Sequence, residues 1–321
     1  MASILHIATG GTIASTQGAD GGVVTTRSGE SLFAGIALPD HISVTTLGFA
    51  AKGSNLLTLA MIHDLAKVIE RELPRYDGVV ITHGTDTMEE TAYALEILLA
   101  PGKPVVITGA QRHAEARDAD GPRNLADAVI AAADPVMAGV GVVVLFEGDI
   151  HAARRVRKVH SSRTDAFRSG DFGKLGAVDD GHVSLTTRPA RLPALGLDHA
   201  PVEIGFVASA MGMGPELLDF MATSAVAGVV VQGMGRGNFP SGWGAAVGRL
   251  VQAGKPVVIT SRCTEGHVAA IYGDEGGGTQ MAEMGALFGG DLNSFKMRVL
   301  LSFLLPQKPQ DLGAAIAPYI A

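Results

Sequence analysis

The sequence predicts an α/β chain of two doubly wound domains with mainly parallel sheets, the N-terminal one larger and the C-terminal one smaller. Three observations carry this expectation. Short β-branched runs alternate with segments of helical period, the chain is longer than one core usually serves, and a proline-bearing stretch of little periodicity divides it.

In chain order, the runs at 4–8, 78–82, 104–108, 140–146, 204–209, 228–232 and 256–260 read as buried parallel strands, and most lead into Gly, Ser or Thr. Between them, residues 59–73, 89–99, 125–133, 216–225 and 244–253 repeat apolar side chains at helical spacing. The heptapeptide Gly-Lys-Pro-Val-Val-Ile-Thr occurs at 102–108 and again at 254–260, each time after a helix-like stretch and before a loop. Two similar halves would explain the echo, and so would two buried strands converging by composition. Residues 186–202 hold three prolines, as an interdomain linker would. The expected division is a catalytic N-terminal domain at 1–187, a linker at 188–203 and a C-terminal domain at 204–321.

Of the 321 residues, 47% are apolar and 18% charged, a balance that suits buried sheets and argues against disorder. The net charge of −7 disfavours nucleic acid as a partner, and the densest basic cluster, Arg154, Arg155, Arg157 and Lys158, is short. Cys263 is the only cysteine, so no intrachain disulfide is possible and a cytoplasmic setting is the default. The chain runs from Met1 straight into an apparent strand, so a signal peptide is not expected, and no segment is long and apolar enough to predict a membrane span. The ten histidines include no His-x-x-x-His pair and the lone cysteine has no partner, so neither a zinc site nor a cofactor is expected.

In open α/β sheets ligands lie outside the carboxyl ends of strands, which directs attention to the loops that follow them. After the first strand comes Thr9-Gly10-Gly11-Thr12-Ile13-Ala14, where paired glycines allow close backbone approach and a hydroxyl follows; an N-cap threonine after a glycine turn is the plain alternative. After the strand at 78–82 comes His83-Gly84-Thr85-Asp86-Thr87-Met88-Glu89-Glu90, in which Thr87 and Glu90 have capping-box spacing. Backbone N–H groups there could stabilise an oxyanion, and Asp86 could hold a cationic amine or simply cap the helix. His83 reads better as a satisfied core histidine than as a base. A threonine hydroxyl needs a neighbouring base, and Lys158, in the polar stretch 151–169, is the candidate.

Together these segments resemble the bacterial-type L-asparaginase family, whose two hallmark motifs match 8–14 and 81–92 almost letter for letter. Further likeness runs through Ala119-Asp120-Gly121-Pro122, Lys158, Gly235-Arg236-Gly237-Asn238 and Arg298-Val299-Leu300-Leu301, and so covers nearly the whole chain. The resemblance implies that Thr12 attacks the side-chain amide of asparagine, leaving an acyl-enzyme that water cleaves, and that Thr85, Lys158 and Asp86 form a hydrogen-bonded set. It implies further that Asp86 binds the substrate's α-amino group and Ser54 its α-carboxylate, with Asn55 beside them. The N–H of Thr85, together with Ala110, would form the oxyanion site.

The chain departs from the family in the flap at 15–28, where many relatives carry a tyrosine and this chain has none. Tyr272, in a region that some relatives bring from a neighbouring subunit, is the candidate replacement; a packed aromatic is its plain alternative. Thr16, Thr25 or Thr26 could instead complete the flap, whose glycines at 18, 21 and 22 suit a mobile segment. By the same resemblance Asn238 is an intersubunit contact, or else an ordinary turn residue, and the assembly is a homodimer or homotetramer.

The loop Gly233-Met234-Gly235-Arg236-Gly237 lacks full dinucleotide-binding spacing. A glutaminase-asparaginase of broader specificity and a non-catalytic amino-acid sensor on the same scaffold are the alternative functions. An ammonia-supplying transfer-RNA amidotransferase subunit is disfavoured by the acidic charge and the early hallmark motif.

Overall fold

The computed structural model describes residues 1–17, 23–25, 27–99 and 101–320. The chain divides into two units, Met1–Leu197 and Asp198–Ala321, which meet inside the stretch expected as a linker. Much of that stretch is fastened to the first unit. Arg188 donates to the carbonyls of Val136 and Ala138, Arg191 lies 3.5 Å from the buried Glu96 carboxylate, and the N–H of Leu195 donates to Ile97.

The first unit opens with β1 (Ala2–Gly10), a hairpin of β2 (Ser15–Gln17) and β3 (Val23–Thr25), and the long β4 (Ile42–Lys52). Helix α1 (Leu59–Glu72) leads to β5 (Gly78–Thr82), α2 (Met88–Leu98) to β6 (Val105–Thr108), and α3 (Gly121–Ala133) to β7 (Val142–Phe146). Then come β8 (Asp149–Ala152), the two-residue pair β9 (Arg157–Lys158) and β10 (Phe167–Arg168), β11 (Gly176–Asp179) and β12 (His182–Leu185). One sheet takes eight of these strands in the order β12-β11-β8-β7-β6-β5-β1-β4. The run from β4 to β7 is parallel and the β8, β11 and β12 edge is antiparallel.

Alternate side chains of the parallel strands face opposite ways, as the pleat requires. Ile4, Val80, Val106 and Val143 pack with Leu125, Ala128 and Val129 of α3. Helices α1 and α2 pack together, burying Ile62, Leu65, Ile69, Leu95 and Ile97. The strands are therefore buried on both faces, which is why they read as continuous β-branched runs rather than alternating ones.

The second unit contains β13 (Ile204–Ala208), α4 (Glu216–Thr223), β14 (Gly228–Gly233), α5 (Trp243–Gln252), β15 (Val257–Ser261), α6 (Gly278–Glu283), β16 (Leu287–Phe288), α7 (Ser294–Leu304) and α8 (Leu312–Ile316). Its four strands are parallel in the order β13-β14-β15-β16. Helix α7 packs on β13, β14 and β15, while α4 and α5 pack together around Leu218, Trp243 and Val247.

The repeated heptapeptide has the same structural duty in both units. Lys103, just before β6, donates to the carbonyls of Leu73, Pro74 and Tyr76 at the end of α1. Lys255, just before β15, donates to those of Met221 and Ser224 at the end of α4. Each ammonium satisfies carbonyls that a helix end leaves open and favours the negative end of its dipole.

Candidate active site

Strand β1 is flanked by β4 on one side and β5 on the other, so successive crossovers leave it in opposite directions. A crevice opens at such a switch point beyond the carboxyl ends of the strands. The loops after β1, β4, β5 and β6 meet there, and glycines set how closely. Gly11 has φ 85°, and a Cβ on it would lie 2.5 Å from the backbone N and Cα of Gly84. A Cβ on Gly84 would in turn lie 2.8 Å from Ser54 Oγ. The Gly11 N–H donates to Lys52 O at 3.1 Å, closing the β1 and β4 loops on each other.

Between these loops is an open cleft of about 560 Å³ lined by Thr12, Ser54, Asn55, Thr85, Asp86 and Lys158, with Gln111, Lys52, Ser15 and Ser161 among the other walls. All of them belong to the first unit. Thr12 begins a 3-10 turn, Thr12–Ala14, and is half-buried.

Lys158 Nζ donates to Thr85 Oγ1 and to Asp86 Oδ1, both at 2.8 Å. Its side chain is only 14% exposed, whereas that of Asp86 is 68% exposed. Lys158 is thus no ordinary surface lysine, and Asp86 meets it while keeping carboxylate surface open to a cationic ligand. Because Thr85 Oγ1 accepts from Lys158, its own proton points elsewhere, and Gln111 Oε1 lies 3.5 Å away. Ser54 Oγ accepts from the N–H of Asp86 at 3.2 Å.

The Thr87 half of the expected capping box is not formed. Thr87 occupies the N-cap of α2 without a side-chain capping bond, and its hydroxyl donates instead to Ser54 O at 3.0 Å. A bond between two site loops takes precedence over a local one. Nor does Asp86 cap the helix; its carboxylate turns to Lys158. His83 is the core histidine expected. It is buried, with Nδ1 2.6 Å from Gly84 O and Nε2 3.0 Å from Thr91 Oγ1, and burial pushes its pKa down to about 4.

Ala110 is buried in the loop after β6, and Asp120 holds that loop in place. Asp120 accepts from the N–H groups of Gln111 and Arg112, each at 2.9 Å, and from Asn124 Nδ2, which also donates to Gly109 O. The Ala119-Asp120-Gly121-Pro122 segment therefore acts as a clamp on the cleft wall. Sequence reasoning did not assign Gln111, Glu89 or Asp120 a place at the site. The partner of Glu89, the N–H of Lys158, lies 69 residues away and that of Gln111, Thr85, lies 26 away, whereas Asp120 bonds residues within nine positions; Glu89 and Asp120 stand inside motifs shared with the family, and Gln111 directly follows Ala110.

The hairpin of β2 and β3 forms the base of the flap, anchored where Arg27 N donates to Ala14 O and Ala114 N donates to Ser15 O. Thr16 is half-buried at its start and β3 ends at Thr25, while Thr26 and the glycines at 18, 21 and 22 lie outside the described residues. Asn238 and Tyr272 belong to the second unit. Asn238 closes a tight turn through paired backbone bonds with Met234, and its Oδ1 is buried without a hydrogen-bond partner among the described residues. Tyr272 is 50% exposed, so it is not a packed aromatic of its unit. Among the described residues no cluster of three or more His, Cys, Asp or Glu side chains is placed to hold a metal ion.

The asparaginase N-terminal domain family matches residues 3–191, and the glutaminase/asparaginase C-terminal domain family matches residues 203–313. A probable L-asparaginase of Deinococcus radiodurans is 37% identical over 322 residues, covering 98% of this chain and 94% of the relative. An L-asparaginase of Bacillus licheniformis is 33% identical over 302 residues, covering 93% and 94%. The crystal structure of a probable cytoplasmic L-asparaginase from Campylobacter jejuni superposes with a TM-score of 0.89 at 31% identity, covering 99% of both chains. With both halves matched, and relatives above 30% identity over nearly its full length, the chain belongs to the asparaginase family.

Proposed function

We propose that the protein is an L-asparaginase that hydrolyses the side-chain amide of L-asparagine to aspartate and ammonia. The observation that carries this reading is the ammonium of Lys158 joining Thr85 and Asp86 on a cleft that also presents Thr12 and Ser54. The relatives named L-asparaginase support the same substrate.

In this reading Thr12 Oγ attacks the amide carbon and gives up its proton, the C–N bond breaks, and ammonia leaves once the nitrogen has gained a proton. Water then cleaves the threonyl ester to release aspartate. Thr85 and Lys158, hydrogen-bonded to one another, are the groups placed to take part in these proton transfers. Asp86 binds the substrate's α-ammonium through its exposed carboxylate, Ser54 with Asn55 takes the α-carboxylate, and the N–H of Thr85 with Ala110 faces the developing oxyanion. A homodimer or homotetramer in which Tyr272 and Asn238 complete a neighbouring cleft belongs to the same proposal. So does a cytoplasmic location, in keeping with the Campylobacter structure; among the described residues no helix is long and apolar enough to cross a membrane.

The test is ammonia release from L-asparagine by purified protein without added metal or cofactor. Thr12→Ala and Thr85→Ala should each reduce kcat by roughly 100-fold or more, and full activity in either variant overturns the assignment. A crystal structure with aspartate bound checks the rest; a Tyr272 hydroxyl remote from every Thr12 in the assembly eliminates its proposed role.

A further inference from the structure

We infer that Glu89 is a positioning residue for this reaction, one whose buried carboxylate fixes the backbone at Lys158 and so delivers the ammonium to Thr85 and Asp86. The inference rests on the asparaginase reading of the cleft.

Lys158 is the second residue of a two-residue strand that pairs only with the equally short β10. So short a ladder holds register poorly, because few backbone bonds oppose slippage. A lysine side chain adds four rotatable carbons beyond that backbone, so a small shift of its Cα displaces Nζ from both acceptors. Something must fix the strand relative to α2, and Glu89 does. Its Oε2 accepts from the N–H of Lys158 at 2.6 Å, across 69 residues of sequence.

Glu89 is only 7% exposed and stands in the first turn of α2, where backbone N–H groups favour a negative charge. A charge-assisted bond of this kind is short and directional. Thr85 and Asp86 enter the cleft from the residues just before that turn. One helix N-terminus therefore presents the two acceptors of Lys158 directly and holds the donor's backbone through Glu89. Glu89 touches neither Thr85 nor Asp86 in any hydrogen bond of the site; it acts through Lys158.

The experiment measures kcat and KM for asparagine in Glu89→Ala, Glu89→Gln, Lys158→Met and the double variant Glu89→Ala/Lys158→Met, with Tm recorded for each. Glu89→Ala should lower kcat about 10- to 100-fold, the scale expected when a catalytic group is misplaced by about an ångström. Glu89→Gln keeps an acceptor for the N–H and should return kcat to within about threefold of wild type. With Lys158 already truncated, removing Glu89 should change kcat by less than about twofold, since the two losses share one cause.

An unchanged kcat in Glu89→Ala overturns the inference, and so does an equal factor lost in both backgrounds, which a general structural defect would give. If Glu89→Ala fails to fold, Glu89→Asp takes its place, because it retracts the carboxylate by one methylene. Wild-type protein that releases no ammonia defeats the asparaginase reading instead. A crystal structure of the Glu89 variant then still decides the positioning role: Lys158 Nζ remaining within hydrogen-bond reach of Thr85 and Asp86 refutes it.

Discussion

Acidification from pH 7 to pH 5 should destabilise the first unit far more than the second. His6, His83 and His151 all belong to the first unit and are buried, and burial lowers each pKa from 6.5 to about 4. Each ring is held as neutral imidazole: His6 between the Thr46 and Thr82 hydroxyls, His83 between Gly84 O and Thr91, His151 against Ser169. The unfolded chain takes up these three protons as pH falls through 6.5, whereas the folded unit resists until about 4. The unfolded state therefore binds more protons within that window, and stability falls with pH across it. Integrated from pH 7 to pH 5, the loss is about 2 kcal/mol for each histidine and roughly 5–6 kcal/mol for all three. Burial raises the Glu96 and Asp127 carboxyls, which works in the opposite sense and offsets part of the loss. Against a typical domain stability of about 5–15 kcal/mol, the histidine contribution is large.

The two units can be followed separately. Trp243, the only tryptophan, is buried in the second unit with its indole N–H donating to Met213 O, so its fluorescence reports that unit. Far-UV circular dichroism reports both. Urea titrations at pH 7 and pH 5 should show a large drop in the first-unit midpoint with little movement of the Trp243 transition. In His151→Asn, whose carboxamide can still reach Ser169, the pH-dependent loss should shrink by about 2 kcal/mol. Equal first-unit stability at the two pH values, or a loss unaltered by that substitution, refutes the reasoning.

Two substitutions probe the scaffold of the cleft. Gly11→Ala should destabilise by at least about 2 kcal/mol, combining a backbone conformation that only glycine adopts readily with a Cβ forced onto the Gly84 backbone. Its ammonia release should fall in parallel, and wild-type Tm and kcat would contradict the interlocked-loop account. Asp120→Ala leaves the N–H groups of Gln111 and Arg112 without their acceptor and removes one of the two acceptors of the Asn124 amide. A loss of about 2–4 kcal/mol is expected in chemical denaturation, with Asp120→Asn intermediate; no loss would mean that the clamp is not structural.

The parallel strands were legible because burial on both faces leaves a composition that nothing else explains. The long edge strand β4 was not anticipated. Its sequence, ISVTTLGFAAK, mixes small, polar and apolar residues because it pairs with β1 alone and is half-buried along much of its length. Helix α7 was missed for the opposite reason: it is buried on nearly every side and shows no polar stripe to mark a period. At the site, Thr12, Thr85 and Asp86 were singled out because each follows an expected strand end, whereas Ser54, just after the unanticipated β4, was marked only by the resemblance to the family. The role of Glu89 had no local sign, since a carboxylate in a helix's first turn reads as an ordinary helix-start residue until its distant partner is known, and Asp120, just before α3, reads the same way although its partners stand within nine residues.

The duplicated heptapeptide sharpens the question of why the cleft with Thr12, Thr85 and Lys158 lies in the first of two similarly built units. Lys103 and Lys255 play the same part, and the strands they precede occupy matching places between parallel neighbours. What differs is strand order. The second sheet runs β13-β14-β15-β16 without reversal, so consecutive loops at its carboxyl edge turn the same way and no switch point parts them. In the first sheet β4 lies on the far side of β1 from β5, and the loops of β1, β4 and β5 part around a crevice that Gly11 and Gly84 keep narrow. The chemistry thus follows from placing one strand, β4, on the other side of β1. That is the strand whose sequence declared itself least, and its final turn carries Ser54 to within hydrogen-bond reach of Asp86.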